Sequence, residues 1–203
     1  MNKYCQRKQK MRNQLWNQKI VNEENLIHYY VKLGSVEETL NAIQHWDEDV
    51  NFPNKFHQYP LHFAAKDGDA KLVKILLQNG AKINCLSEDK STPLHYAALN
   101  DNPQVDKIEA IKTLLEHGCQ VDPKDSYGYT PFNYAVMFHE IEVIEELLNH
   151  GANANHANLD QDYFTPIHHI VSRGEIEATK ILIEYGANVN AKVHIFFGSS
   201  VFT

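Results

Sequence analysis

Residues 92–98 read Thr-Pro-Leu-His-Tyr-Ala-Ala, and the unit they open closes at residues 118–122 with Gly-Cys-Gln-Val-Asp. The same phrase returns along the chain. Pro60 opens PLHFAAKDG, Pro131 follows Thr130 in TPFNYAVMF, and Pro166 follows Thr165 in TPIHHIVSRG. Gly80, Gly118, Gly151 and Gly186 close the four units. Pro60 to Pro93 is 33 residues, and the distance from proline to closing glycine is 20 residues in three of the four units. A recurring period of this length marks a repeat array.

The residues at these positions predict two short helices and a turn per unit. Thr92, Thr130 and Thr165 carry hydroxyls that can accept from the first free amides of a helix, and the following proline fits the first helical position because its missing N–H is needed nowhere. Ala64, Ala65, Ala97, Ala98 and Ala135 keep that first helix thin, so that units stack closely. A second helix is predicted from apolar residues at helical spacing: Leu72, Val73, Leu76 and Leu77; Ile111, Leu114 and Leu115; Val143, Ile144, Leu147 and Leu148; Ile181, Leu182 and Ile183. The closing glycine then supplies a left-handed residue that ends it. An earlier unit is degenerate. His28, Gly34 and Asn51 keep the register, and Asn25 stands in for threonine as the helix cap.

The capping threonine, Pro-Leu-His, the alanine pair, the paired leucines and Gly-Ala-Asn-Val-Asn recur in register over about 170 of 203 residues. In these motifs the chain closely resembles the ankyrin repeat family. The resemblance implies an all-α solenoid of stacked helix pairs with projecting β-hairpin-like fingers, here four clear repeats and a degenerate N-terminal cap repeat. It divides the chain into a basic tail (1–21), a repeat domain (22–192) and an atypical tail (193–203). It also implies a protein-binding role, through the concave face and finger tips, for a monomeric adaptor, scaffold or inhibitor. The alternative is a fragment of a larger ankyrin-bearing protein, such as a channel, a latrotoxin-like toxin or a ubiquitin-ligase substrate adaptor.

The family's binding positions map onto finger residues Phe56, Gln58, Glu88, Asp89, Ser91, Tyr127, Tyr129 and Phe164. They also include the first-helix ends Lys66 and Asp67, Leu99 and Asn100, Met137 and Phe138, and Ser172 and Arg173. Tyr127, Tyr129, Met137, Phe138 and Phe164, with Arg173 nearby, have the composition of an interface hot spot. The competing expectation is that Met137 and Phe138 turn inward, because His139 replaces the usual glycine. Asn84, Asn155 and Asn190 lie eight residues after Leu76, Leu147 and Leu182, the spacing the family presents to its asparaginyl hydroxylase. A role in hydrogen bonding the finger turn is the favoured reading of these asparagines.

Charge is divided unevenly. Lys3, Arg7, Lys8, Lys10, Arg12 and Lys19 precede the first acidic residue, Glu23, leaving 13 basic against 26 acidic side chains in the remainder. An acidic array disfavours nucleic acid as a ligand and favours a basic partner. The basic run reads as a solvated tail, with nuclear import as the alternative. The expected setting is cytoplasmic or nuclear, because no apolar run approaches the roughly 18–20 residues of a membrane span and the N-terminus lacks a secretory apolar stretch. Cys5, Cys85 and Cys119 are odd in number and unclustered, which fits free thiols.

Little points to chemistry. His28, His62, His95 and His168 occupy one repeat position in successive layers, where the family resemblance implies a structural hydrogen-bonding role rather than metal ligation. His117 and His150 are expected to sit favourably at helix C-termini. Nucleophile elbows, phosphate-binding glycine loops and His-Glu-x-x-His are missing, so no enzyme, cofactor or metal is expected. Glu140, Glu142, Glu145 and Glu146 are expected on a solvated helix face.

Departures from the repeat concern length. Residues 99–107 make the third unit five residues longer than its neighbours, and the finger at 155–164 is two residues longer. Either could be a contact loop or a neutral change, since closing a longer loop costs little entropy. After Lys192 the expected start of another unit is replaced by VHIFFGSSVFT. This reads first as a truncated repeat, and alternatively as an apolar segment folded back over the last helix pair.

Overall fold

The computed structural model describes residues 23–99, 107–157 and 164–192. The basic tail with Cys5, loop residues 100–106 including Asn100, finger residues 158–163 and the tail 193–203 lie outside the described residues.

The described helices form five pairs: α1 (Leu26–Lys32) with α2 (Val36–His45), α3 (Pro60–Lys66) with α4 (Ala70–Gln78), α5 (Pro93–Ala98) with α6 (Lys107–Glu116), α7 (Pro131–Met137) with α8 (Ile141–Asn149), and α9 (Pro166–Ser172) with α10 (Ile176–Glu184). First helices pack on first helices of adjacent units, and second helices form a second row. The alanines at residues 64, 65, 97, 98 and 135 are fully buried between layers, as are Leu72, Leu76, Ile111, Leu114, Ile144, Leu147 and Leu182 along the second row. Each such large side chain contributes roughly 1.5–3 kcal/mol on burial.

The caps follow the sequence with one variation. Asn25 Oδ1 accepts the His28 N–H at 3.1 Å, and Thr130 Oγ1 accepts the Asn133 N–H at 3.3 Å. Thr165 instead directs its hydroxyl at His168 Nδ1, 2.7 Å away. Asp69 caps α4 by accepting the Leu72 N–H at 3.0 Å. Glu140 corrects the expectation of a fully solvated acidic face, because it forms an ion pair with Lys107, a buried residue of the preceding unit. A buried ammonium needs a counter-charge, and the next layer supplies one.

Among the described residues three kinds of turn need a left-handed residue, and glycine does not always provide it. The closing turn uses Gly80, Gly118, Gly151 and Gly186, but Asp47 (φ 54°) takes the place in the first unit. Between the helices Gly34, Gly68 and Gly174 have the counterpart His139 (φ 60°), so the turn that histidine was expected to reshape keeps its backbone form. At the finger tip Gly128 is matched by Glu23, His57 and Lys90, all with positive φ. Stacking thus imposes on an L side chain a conformation that costs it about 1–2 kcal/mol.

The repeated histidines tie each unit to the finger beyond it. His62 Nδ1 receives the Tyr59 N–H at 3.0 Å while Nε2 faces the Ser91 carbonyl at 3.1 Å. His95 does the same with the Thr92 N–H (3.1 Å) and the Tyr129 carbonyl (3.1 Å). His168 follows with the Thr165 N–H (3.2 Å) and the Ala191 carbonyl (3.0 Å). A carbonyl only accepts, so Nε2 carries the hydrogen and the ring is the neutral Nε2–H tautomer. Burial lowers the pKa of His28 and His95 and takes that of His62 down to about 4, against a partial rise from its backbone bonds. Burial also pushes the free thiols up, Cys85 to about 12 and Cys119 to about 11, so neither is a ready nucleophile.

Candidate interaction surface

The fingers are shaped by side chains that take backbone amides. Among the described residues they are turns without assigned strands, because an acidic or amide oxygen occupies the N–H groups a strand partner would need. Asn54 Oδ1 accepts the N–H of Phe56 (3.0 Å) and of Gln58 (2.9 Å). Asp125 Oδ1 accepts those of Tyr127 and Tyr129, both at 2.9 Å. Ser87 holds this position in the finger between them, and its hydroxyl faces the Ser91 carbonyl at 3.0 Å and the Asp89 carboxylate. Asp89 compensates by accepting from the Ser91 N–H (3.4 Å) and hydroxyl (3.1 Å). Burial alone would raise the Asp89 pKa, but hydrogen bonds from Ser87 and Ser91 outweigh it and hold the carboxylate below its ordinary value.

Successive fingers are joined. Glu88 N–H donates to the Phe56 carbonyl at 3.0 Å and Ser126 N–H to the Asp89 carbonyl at 2.8 Å. A second seam runs through the residue four places after each closing glycine. Asn51 donates to the Gly80 carbonyl (2.9 Å) and accepts the Lys82 N–H (2.8 Å); Asn84 accepts the Gln120 N–H (2.9 Å); Asp122 accepts the Asn153 N–H (2.9 Å). Asn155 repeats the double bridge to the Gly186 carbonyl (3.0 Å) and the Asn188 N–H (2.7 Å). Two of the three expected hydroxylation acceptors, Asn84 and Asn155, are therefore bridges between units; Asn190 stands one step further along the row.

This frame sorts the expected contact residues. Tyr127 at the fourth unit's finger tip is 61% exposed, and Phe138 at the end of α7 is 37% exposed. Phe56 and Leu99 are also exposed, with the Lys55 ammonium 4.9 Å from the Phe56 ring centroid. Lys66, Asp67 and Glu88 are exposed, Met137 is half-buried and Ser172 is exposed. Tyr129 and Phe164 are committed to the fold. The Tyr129 ring lies 5.4 Å from Tyr134, whose hydroxyl donates to Asp125 at 2.6 Å, and Phe164 lies 5.3 Å from His168. Gln58 is likewise engaged, donating to the Tyr96 hydroxyl at 2.8 Å. Arg173 is exposed, yet its guanidinium contacts His139 Nε2, while His139 Nδ1 pairs with Glu175 and the His139 and His169 rings stack at 5.9 Å. That arginine is a brace between the last two units rather than a free anchor.

One residue of this face was missed by sequence reasoning. Leu33, 61% exposed, follows α1 in the register of Asp67, Phe138 and Arg173. The 34-residue offset from Leu33 to Asp67 was the signal that could have found it. Together Leu33, Phe56, Leu99, Tyr127 and Phe138 give exposed apolar side chains at finger tips and first-helix ends in each of the first four units.

A family model for ankyrin repeats (3 copies) matches residues 27–125, 61–158 and 104–193. Among curated proteins, BCL-6 corepressor-like protein 1 of Homo sapiens is 35% identical over 79 residues, 39% of this chain and 4% of that protein. Putative ankyrin repeat protein FPV223 of Fowlpox virus (strain NVSL) is 35% identical over 81 residues, 39% of this chain and 55% of that protein. The transient receptor potential channel pyrexia of Drosophila melanogaster is 41% identical over 66 residues, 32% of this chain and 7% of that protein. The matches thus span a small part of the length of most of these relatives. The chain belongs to the ankyrin repeat family, whose repeats are a general protein-interaction module.

Proposed function

We propose that this ankyrin repeat chain acts as an adaptor, scaffold or inhibitor that holds a partner protein against its concave, finger-side face. The observation that supports this reading is the exposure of Tyr127 and Phe138, with Phe56, Leu99 and Leu33, at finger tips and first-helix ends that recur in register along the array. Solvating such side chains gives the fold nothing, whereas burying them under a partner releases the water they order. Residues after the N-terminal tail carry 13 basic against 26 acidic side chains, which favours a partner of basic surface and speeds its encounter.

The test begins with affinity purification and crosslinking mass spectrometry to obtain the partner. Replacing Tyr127, Tyr129 and Phe138 together by alanine is expected to cost at least about 2 kcal/mol of binding free energy with helical circular dichroism unchanged. Because Tyr129 packs on Tyr134, Tyr129→Ala alone serves as the control for damage to the fold. Binding at full strength by the triple variant would move the site away from this face.

A further inference from the structure

We propose that the ring of Tyr134, backed by the carboxylates of Asp89 and Asp125, is the seat for an arginine or lysine side chain on a basic segment of the partner; the assignment rests on the concave-face reading above. The chain displays such a seat filled from within. Between the first two units the Lys32 ammonium lies 4.2 Å from the centroid of the Phe63 ring and pairs with the carboxylate of Glu24. Lys32 ends α1, and Phe63 is the fourth residue of α3, where it meets His28 edge-on at 5.7 Å.

Tyr134 holds the same register in α7, is half-buried, and meets His95 edge-on at 6.0 Å. What changes is the residue in front of it. In register with Lys32 stands Lys66 in the second unit, but Leu99, 40% exposed, in the third. The acidic part is kept. Asp125 accepts the Tyr134 hydroxyl at 2.6 Å and two backbone amides, and Asp89 accepts from Ser87 and Ser91, so neutral donors hold both. Among the described residues neither carboxylate forms a salt bridge, although Lys90 and Lys124 are exposed on the same fingers. Burial lowers the pKa of His28 and His95 alike, yet the charges beside them differ: Glu24 and Lys32 oppose each other at His28, whereas Asp125 and Asp89 act in one sense at His95. An aromatic face attracts a cation through its quadrupole, and carboxylates close by add to the pull. Leu99 and Tyr127, both exposed, offer apolar contact to the aliphatic stem of the incoming side chain.

The probe is a fluorescein-labelled hexa-arginine peptide, with hexa-citrulline as its neutral match, titrated with the full chain by anisotropy. Salt is held at about 0.15 M, where the screening length is about 8 Å and remote charges count for little. The decisive variant is Leu99→Lys, which places at an exposed position the lysine of the first two units. Expected is preferential binding of hexa-arginine, weakened at least about fivefold by Leu99→Lys and within about twofold of wild type in Leu99→Gln. Glu145→Lys, on the exposed part of α8, changes the net charge more and should weaken binding less than about twofold. Equal losses from Leu99→Lys and Glu145→Lys, equal binding of the two peptides, or full binding by Leu99→Lys overturns the seat. The concave-face reading fails by a different result, retention of the purified partner by the Tyr127, Tyr129 and Phe138 triple variant, whatever hexa-arginine does.

Discussion

At residue 62 the joint between a helix start and the finger beyond it is a histidine; at residue 133 the same joint is an asparagine. His62 receives the Tyr59 N–H and donates to the Ser91 carbonyl; Asn133 receives the Thr130 N–H at 3.0 Å and donates to the His156 carbonyl at 3.1 Å. Both residues present one acceptor and one donor from opposite ends of a flat group. The frame therefore selects a hydrogen-bonding pattern, not an imidazole. The two units differ again at the turn between their helices, where Gly68 faces His139, and at the first-helix end, where Lys66 and Asp67 face Met137 and Phe138. The second unit is polar at its rim and carries a buried histidine at its joint; the fourth is apolar at its rim and carries an asparagine, which does not titrate, at its joint.

The largest way to break this contrast is His62→Asn. Between pH 6.5 and about 4 the unfolded chain takes up a proton at residue 62 that the folded chain refuses, so stability is full above that window and falls as the pH drops through it. The slope is about 1.4 kcal/mol per pH unit for each histidine so held. Urea midpoints at pH 7, 6 and 5 should show a shallower decline by about that amount in the variant, whatever its stability at pH 7. An unaltered slope would mean that His62 does not titrate as its burial requires.

Gly151→Val sharpens the comparison of closing turns. Gly151 has φ 87° with nothing within 4 Å of an added Cβ, so the strained backbone conformation is the cost expected. A loss of about 1–2 kcal/mol is expected in equilibrium denaturation, and an unshifted midpoint would contradict the turn assignment.

The smallest effect expected is that of His139→Gly, which gives the fourth unit the glycine of the second. Relief of the left-handed strain is offset by the lost contacts to Arg173 and Glu175, which lie near the surface and contribute little. A gain of no more than about 1 kcal/mol should result. A clear loss would show that the brace outweighs the strain.

The repeat, its caps and its core were legible because each rests on one residue type doing what only few types can: Asn25 and Thr130 as caps, Gly151 at the closing turn, Leu76 and Leu147 on the buried stripe. Legibility failed where the frame tolerates substitution. Asp47, Lys90 and His139 occupy left-handed positions that their side chains do not announce. Asp89 does work its neighbour Ser87 cannot, and Glu140 answers a lysine 33 residues earlier that no local pattern connects to it. The proposed contact positions follow from register, but register does not say which aromatic is spare. Tyr127 and Tyr129 look alike in sequence, and only the ring of Tyr134 separates the exposed one from the packed one.

The seam formed by Asn51, Asn84, Asp122 and Asn155 has a direction, because each residue reaches forward to the next unit and none reaches back. A row of this sort behaves like couplings on a train, with a hook at one end and a ring at the other. Two copies joined by the same bonds could meet only tail to head, and unless the rotation between them closes a ring such a contact propagates into a fibre rather than stopping at a pair. A chain that leaves its final hook uncovered therefore carries a polymerisation hazard written into the polarity of its own backbone.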